Sequence, residues 1–138
     1  MISLLLCSHN NLSESLKQTA EMIYGDLDQC DTVTFQTDDS LAGLVADIRA
    51  KYDALATRGD PVVCLCDLPS ASPYNACCAA LGDTDARVIP GMSLPLLISI
   101  ASERDDVTAD GLDAFLDEVV RDTREGMAIH IPRELLAE

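Results

Sequence analysis

The sequence predicts an α/β fold with an open, doubly wound and mostly parallel sheet that has helices on both faces. Two observations support this prediction. Short apolar, β-prone runs alternate with stretches of helical periodicity along the 138 residues. The first and third runs are apolar almost throughout, which is typical of central parallel strands that are covered on both sides. We expect the strand order 2-1-3-4 and a single domain over residues 1–138.

Four segments are predicted as the parallel strands: Ile2–Cys7, Thr32–Gln36, Val62–Cys66 and Arg87–Ile89. A later segment, the alternating "MAIHI" that ends before Pro132, predicts an antiparallel edge strand around Ala128–Ile131. This last strand would join either the sheet of its own chain or the sheet of a second subunit.

Helical periodicity predicts five helices, and residues that cap or break helices mark their ends. The first ends at Gly25, the second follows "QTDDS", the short fourth begins at Ser93 and the last ends near Gly126. The third has the clearest start, with Ser72 as the N-cap and Pro73 at the first helical position.

The charge balance excludes several classes of function. Nine basic residues stand against 24 acidic ones, which gives a net charge of −15. Such a surface repels nucleic acid and anionic lipid and attracts a basic partner. Solubility, or adaptation to a salty interior, would equally explain the charge. The apolar runs fall short of the roughly 20 residues that span a bilayer, and no signal peptide is recognised, so a cytoplasmic location is expected.

Six cysteines occur in the chain, and their context favours reduced, buried thiols. Cys64 and Cys66 lie in an apolar strand, and Cys77 and Cys78 lie in an apolar helical stretch. Because the sequence contains no CxxC pair, no metal or cofactor is expected. The alternative is a thiol or metal protein that uses Cys7, Cys64 and Cys66.

Three residues are predicted to meet where the strand order reverses, the place at which open α/β sheets bind ligands. His9 follows the first strand, Asp67 ends the third, and Ser72 begins the next helix. A carboxylate that holds Nδ1–H of a histidine leaves Nε2 as a nucleophile, and a helix N-terminus accommodates a phosphoryl group. Since no GxxxxGK[ST] loop is present, the combination indicates a phosphoryl carrier between proteins. The alternative is that His9 caps a helix and Asp67 only shapes a turn.

Three motifs resemble the mannose-type enzyme IIA domains of the sugar phosphotransferase system. They are "CSHNNLSESLKQTAEMIYG", "CLCDLPSASPYNA" and "VIPGMSLPLL", and the closing "TREGM" also resembles the end of that family's last helix. The resemblance implies that His9 is phosphorylated through Nε2, that Asp67 orients it, and that Ser72 with the adjacent backbone binds the phosphoryl group. It also implies a homodimer in which the strand at Ala128–Ile131 is exchanged.

The resemblance implies a function as well: a phosphohistidine carrier protein would donate to this chain, and a IIB component would accept the phosphoryl group for sugar uptake. Two alternatives remain open, namely the phosphotransfer subunit of a dihydroxyacetone kinase and a non-catalytic regulatory module of the same fold. The chain departs from the family pattern at Asn10, where glycine is common, and in the turn formed by Pro69, Ser70 and Ala71. His130 is interpreted as a structural or surface residue.

Overall fold

The computed structural model describes residues 1–136, in which strands and helices alternate. The strands are β1 (Ser3–His9), β2 (Cys30–Phe35), β3 (Val62–Cys66) and β4 (Arg87–Pro90). The helices are α1 (Leu12–Tyr24), α2 (Leu41–Ala56), α3 (Ser72–Leu81), α4 (Leu94–Glu103), α5 (Leu112–Gly126) and α6 (Pro132–Leu136), with a 3₁₀ turn at Ala109–Gly111 before α5. No helix within residues 1–136 is long and apolar enough to cross a membrane.

The four strands form one parallel sheet in the order β2-β1-β3-β4. The predicted α/β fold and strand order are confirmed. Since β1 lies between β2 and β3, the direction in which the chain adds strands reverses at the β1–β3 pair. In register, His9 lies beside Phe35 on β2, and Cys7 lies beside Cys66 on β3. The carboxyl ends of β1, β2 and β3 therefore meet at one edge of the sheet.

Two apolar layers cover the sheet, because alternate residues of a strand face opposite sides. Leu4 and Leu6 of β1 pack towards α1, α4 and α5, whereas Leu5 and Cys7 pack towards α2 and α3. Residues 3–8 of β1 are all buried. This explains why the first run is apolar nearly throughout, and it fixes the strand that ends at His9.

A buried arginine ties together the amino ends of the strands. Arg104, at the end of α4, is 4% exposed. Its guanidinium donates to the carbonyl oxygens of Ile2 (3.0 Å), Gln29 (3.2 Å) and Asp28 (2.5 Å). The start of β1 and the loop before β2 are thereby joined to α4. This contact lies at the amino ends of the strands, and His9 lies at the opposite, carboxyl end of β1.

The expected C-terminal strand does not join the sheet of its own chain. Residues 127–131 form no strand, and Ile129 is 98% exposed. A β-prone segment forms a strand only when its backbone groups find a hydrogen-bond partner. The residues that follow, from Pro132, form the short helix α6, which the sequence analysis did not predict. Exchange of this segment between subunits stays a prediction.

Candidate active site

The ends of β1 and β3 bring the first two predicted residues, His9 and Asp67, into contact. Nδ1 of His9 lies 2.7 Å from Oδ2 of Asp67, and the backbone N–H of His9 donates to the same oxygen at 2.9 Å. The other carboxylate oxygen accepts from the N–H of Leu68 at 2.9 Å. The Asp67 side chain is 9% exposed and that of His9 is 44% exposed. A nearly buried carboxylate thus holds an accessible imidazole.

These contacts keep Asp67 charged. Burial of the carboxyl group raises its pKa, but the hydrogen bonds from the His9 backbone, the His9 ring and the Leu68 backbone lower it further, so that the pKa of Asp67 lies below its ordinary value. A carboxylate only accepts hydrogen bonds, so Nδ1 of His9 carries the hydrogen that points at it. Nε2 has no hydrogen-bond partner within residues 1–136, and its lone pair is available.

A shallow pocket of about 260 Å³ adjoins the imidazole at the ends of β1 and β2. Its lining residues are His9, Asn10, Phe35, Gln36 and Thr37. The Phe35 ring meets the His9 ring edge-on, with the ring centroids 6.2 Å apart and the planes at 64°. Apart from the imidazole, the lining side chains are an aromatic ring, two amides and a hydroxyl. An anion here would be bound by neutral donors.

The loop that follows His9 is held by serine hydroxyl groups. The Ser8 side chain accepts from the N–H of Ser13 at 2.7 Å, and the Ser13 hydroxyl donates to the carbonyl of Val33 at 3.1 Å. Asn10 has φ of 51°, a left-handed conformation that asparagine tolerates better than most residues. The departure from glycine at this position therefore preserves the turn that begins α1.

The turn after Asp67 leads into α3 and corrects one prediction. Ser72 is the first residue of α3, and Ala71, in an extended conformation, takes the N-cap position that was expected for Ser72. Ser70 has φ of 63° and accepts a hydrogen bond from the side chain of Asn75 at 3.1 Å. Within residues 1–136 the Ser72 side chain makes no hydrogen bond to His9 or Asp67. The structure therefore joins two of the three predicted site residues directly.

Phe35 and Ser13 belong to the site, and the sequence analysis did not identify either. The available signal for Phe35 was its place near the end of the second predicted strand, since parallel neighbours end at the same edge of a sheet. Ser13 gave no comparable signal, because a serine in the first turn of a helix normally faces solvent or caps the helix itself.

A second group of chemically active side chains lies in the core beside α3. The sulfur atoms of Cys64, Cys66 and Cys77 all lie within 4.8 Å of one another. The set predicted from the sequence contained Cys7 in place of Cys77. Cys77 comes from α3, and its approach to β3 depends on how that helix packs.

Comparison with known proteins gives the family. The sequence pattern of one family, described as the PTS system fructose IIA component, matches residues 3–120. The chain belongs to this family. PTS denotes the sugar phosphotransferase system, so the resemblance to its mannose-type IIA domains is confirmed, and the chain is a IIA component of the sugar phosphotransferase system.

Individual relatives agree with this assignment. The sorbose-specific EIIA component of Lacticaseibacillus casei is 26% identical over 119 residues, which cover 86% of this chain and 85% of that protein. The mannose-specific EIIAB component of Escherichia coli K12 is 29% identical over 121 residues, which cover 86% of this chain but 35% of that protein. A solved structure, the PTS IIA protein associated with the fucose utilization operon from Streptococcus pneumoniae, superposes with a TM-score of 0.83 at 21% identity, covering 97% of this chain and 96% of that one.

Proposed function

We propose that this IIA component is a phosphocarrier that accepts a phosphoryl group on Nε2 of His9 from a phosphohistidine carrier protein and passes it to a IIB component for sugar uptake. The observation that supports this best is the 2.7 Å contact between Nδ1 of His9 and Asp67, which leaves Nε2 free on an accessible ring. The proposal includes a single domain over residues 1–138 and a cytoplasmic location, where both partners would be met.

The reaction needs no cofactor. Nε2 of His9 attacks the phosphorus of the donor's phosphohistidine, so that a new N–P bond forms while the donor's N–P bond breaks and the donor nitrogen keeps the electron pair. The His9 ring gains positive charge as the bond forms, and the Asp67 carboxylate on Nδ1–H stabilises that charge. In the transfer to the IIB component His9 is the donor. A bond from phosphorus to the acceptor forms while the N–P bond at Nε2 breaks, and Nε2 keeps the electron pair.

Backbone N–H groups at two helix starts would position the phosphoryl group in the proposed site. The N–H groups of Asn11 and Leu12 at the start of α1, and of Ser72 at the start of α3, donate to no acceptor within residues 1–136. Both helix starts follow strands that end at the site, and free N–H groups at such positions bind phosphoryl oxygens. Ser72 is proposed as a phosphoryl-binding residue on this ground. The net charge of −15 favours encounter with a basic face of the donor.

A two-stage phosphorylation assay tests the function. The purified chain is incubated with phosphoenolpyruvate and the general phosphotransferase components, and an acid-labile phosphoryl group is expected. The labelled chain is then mixed with a IIB component or with a dihydroxyacetone kinase. Loss of label only to the IIB component supports the proposal, whereas loss only to the kinase establishes that alternative. If a control IIA protein is labelled and this chain is not, the chain is a regulatory module.

Replacing Asp67 with asparagine is expected to slow phosphorylation of His9 by about a hundredfold, because the ring loses both its orientation and the charge that stabilises its phosphorylated form. Nuclear magnetic resonance of the ring nitrogens gives a second measurement. The wild-type ring should carry its hydrogen on Nδ1, and the variant should show a mixture of tautomers. Asp53→Asn, at an exposed position on α2, is the matched control and should change neither property.

The difference in unfolding free energy between wild type and Asp67→Asn should depend on pH. Because folding lowers the pKa of Asp67 below its ordinary value of 3.8, the carboxylate stabilises the fold above that value, and this contribution is lost as the pH falls through the lowered pKa. The difference in unfolding free energy between wild type and Asp67→Asn should therefore shrink below pH 3.8. A difference that stays constant or grows on acidification would contradict this assignment of the Asp67 charge.

A homodimer with an exchanged C-terminal segment is also part of the proposal. Large apolar side chains recur at every second position of residues 127–131, as Met127, Ile129 and Ile131, and the first two are 88% and 98% exposed. Apolar side chains at such exposure, on a β-prone segment, fit a strand that pairs with the sheet of a second copy.

Sedimentation of two matched variants tests the exchange. Ile129→Asp is expected to convert a dimer into a monomer, since it places a charge on the paired segment. Met22→Asp, on α1 at 82% exposure, should remain a dimer. A monomeric wild type, or a dimer that survives Ile129→Asp, would show that the segment is not exchanged in this way.

A further inference from the structure

We propose that Cys64, Cys66 and Cys77 form a buried three-sulfur site for a soft monovalent metal ion, copper(I). The site is separate from the proposed phosphocarrier reaction and does not depend on it. Sγ of Cys77 lies 3.1 Å from Sγ of Cys64 and 3.4 Å from Sγ of Cys66, and all three residues are fully buried.

The sequence positions explain why the three sulfurs converge. Cys64 and Cys66 are two residues apart on β3, so their side chains face the same side of the sheet. α3 packs on that side and presents Cys77 between them. The next residue on the helix, Cys78, is exposed. The helix therefore directs the Cys77 thiol towards the other two sulfurs and the Cys78 thiol towards solvent.

The donor set selects the kind of metal. The group contains no carboxylate oxygen and no imidazole nitrogen, which excludes the oxygen-seeking cations calcium and magnesium. Sulfur donors select soft metals, chiefly copper(I) and zinc. Zinc in a closed site is almost always bound by four ligands. Cys7 is buried on the neighbouring strand but is not one of the sulfurs within 4.8 Å of each other, so three donors are available.

Charge gives a second reason for a monovalent ion. The surroundings are apolar side chains of the layer between the sheet and α2 and α3, where an uncompensated charge is costly. One thiolate neutralises one copper(I), with the other two sulfurs as neutral donors and one proton released to solvent.

The spacing requires little adjustment. With metal–sulfur bonds of about 2.3 Å, three sulfurs around one ion lie about 4 Å apart. The present separations of 3.1 and 3.4 Å reach that value by shifts of less than about 1 Å, which small side-chain rotations supply. Access requires α3 to move transiently away from β3, so we expect slow loading.

Anaerobic titration of the reduced full-length chain with copper(I), against a chromophoric copper(I) chelator, tests the proposal. One ion per chain is expected to be retained, and Cys77→Ala should weaken its binding by at least about a hundredfold. Cys78→Ala is the matched control on the same helix and should bind as wild type does. Titration during refolding is run in parallel, because it allows loading without opening of the folded core.

Several results would overturn the site. These are wild type that retains no copper(I) in either protocol, Cys77→Ala that binds as tightly as wild type, or zinc held as tightly as copper(I). If Cys77→Ala fails to fold, Cys66→Ala replaces it in the test and is expected to lose the ion. Retention of copper(I) by Cys66→Ala would contradict the proposed site. Thermal melting of each variant without metal separates loss of binding from loss of folding.

Discussion

Replacing His9 with alanine is expected to abolish phosphorylation of the chain by the phosphohistidine carrier protein. Nε2 of this residue is the proposed acceptor, and no other group of the site offers a nitrogen nucleophile at that place. The fold should survive, because the contact from the His9 backbone to Asp67 is made by the main-chain N–H and does not depend on the ring. The measurement is incorporation of label from phosphoenolpyruvate, with thermal melting as a check on folding.

His130→Ala is the matched control for this prediction. His130 is the only other histidine of the chain, and it is exposed in the segment that precedes α6. Its removal should leave the label unchanged. Label that persists in His9→Ala and disappears in His130→Ala would move the acceptor to the C-terminal segment and overturn the proposed mechanism.

Replacing Arg104 with alanine is expected to lower the free energy of unfolding by about 3–5 kcal/mol, or the melting temperature by roughly 10–20 °C. The carbonyl groups of Ile2, Asp28 and Gln29 would lose their charged donor. The Gln29 carbonyl keeps the backbone N–H of Leu4, so the loss falls on the carbonyls of Ile2 and Asp28. An acceptor left without a partner in the interior costs much of its desolvation free energy. Denaturant unfolding at a fixed salt concentration measures the loss.

Two further variants identify the cause of that loss. Arg104→Lys keeps a positive charge but lacks the planar fork that contacts three carbonyls at once, so an intermediate stability is expected. Arg58→Ala removes an arginine whose side chain is 53% exposed and paired with Asp60, and it should have little effect. Equal stability of Arg104→Ala and wild type would show that water replaces the guanidinium at no cost.

The contacts of Asp67 favour the proposed phosphocarrier over the regulatory alternative. A module that kept the fold for binding alone would have no need for a charged, hydrogen-bonded carboxylate on Nδ1 of His9. Here both oxygens of Asp67 accept hydrogen bonds, and one of them accepts from the imidazole itself. The altered turn at Ser70 and Ala71 leaves this pair intact, so we expect that departure from the family pattern to affect partner recognition more than phosphoryl transfer.

The sequence by itself determined the fold, the strand order and the meeting of His9 with Asp67. These depend on local patterns: apolar runs mark buried parallel strands, and the carboxyl ends of adjacent parallel strands lie at one edge of the sheet. Some helix ends were also defined locally, by Gly25 and Ser93, whereas the N-cap of α3 lies at Ala71 and not at Ser72, and α6 was not predicted.

Only the tertiary structure decided contacts between elements that are far apart in sequence. Arg104 reaches a carbonyl 102 residues away, Cys77 joins Cys64 and Cys66 in place of Cys7, and Phe35 meets the edge of the His9 ring. The physical reason is that such contacts depend on the rotation and depth at which a helix packs on the sheet and on strand register. Those quantities are set by close packing of the whole core and by no pattern within one segment.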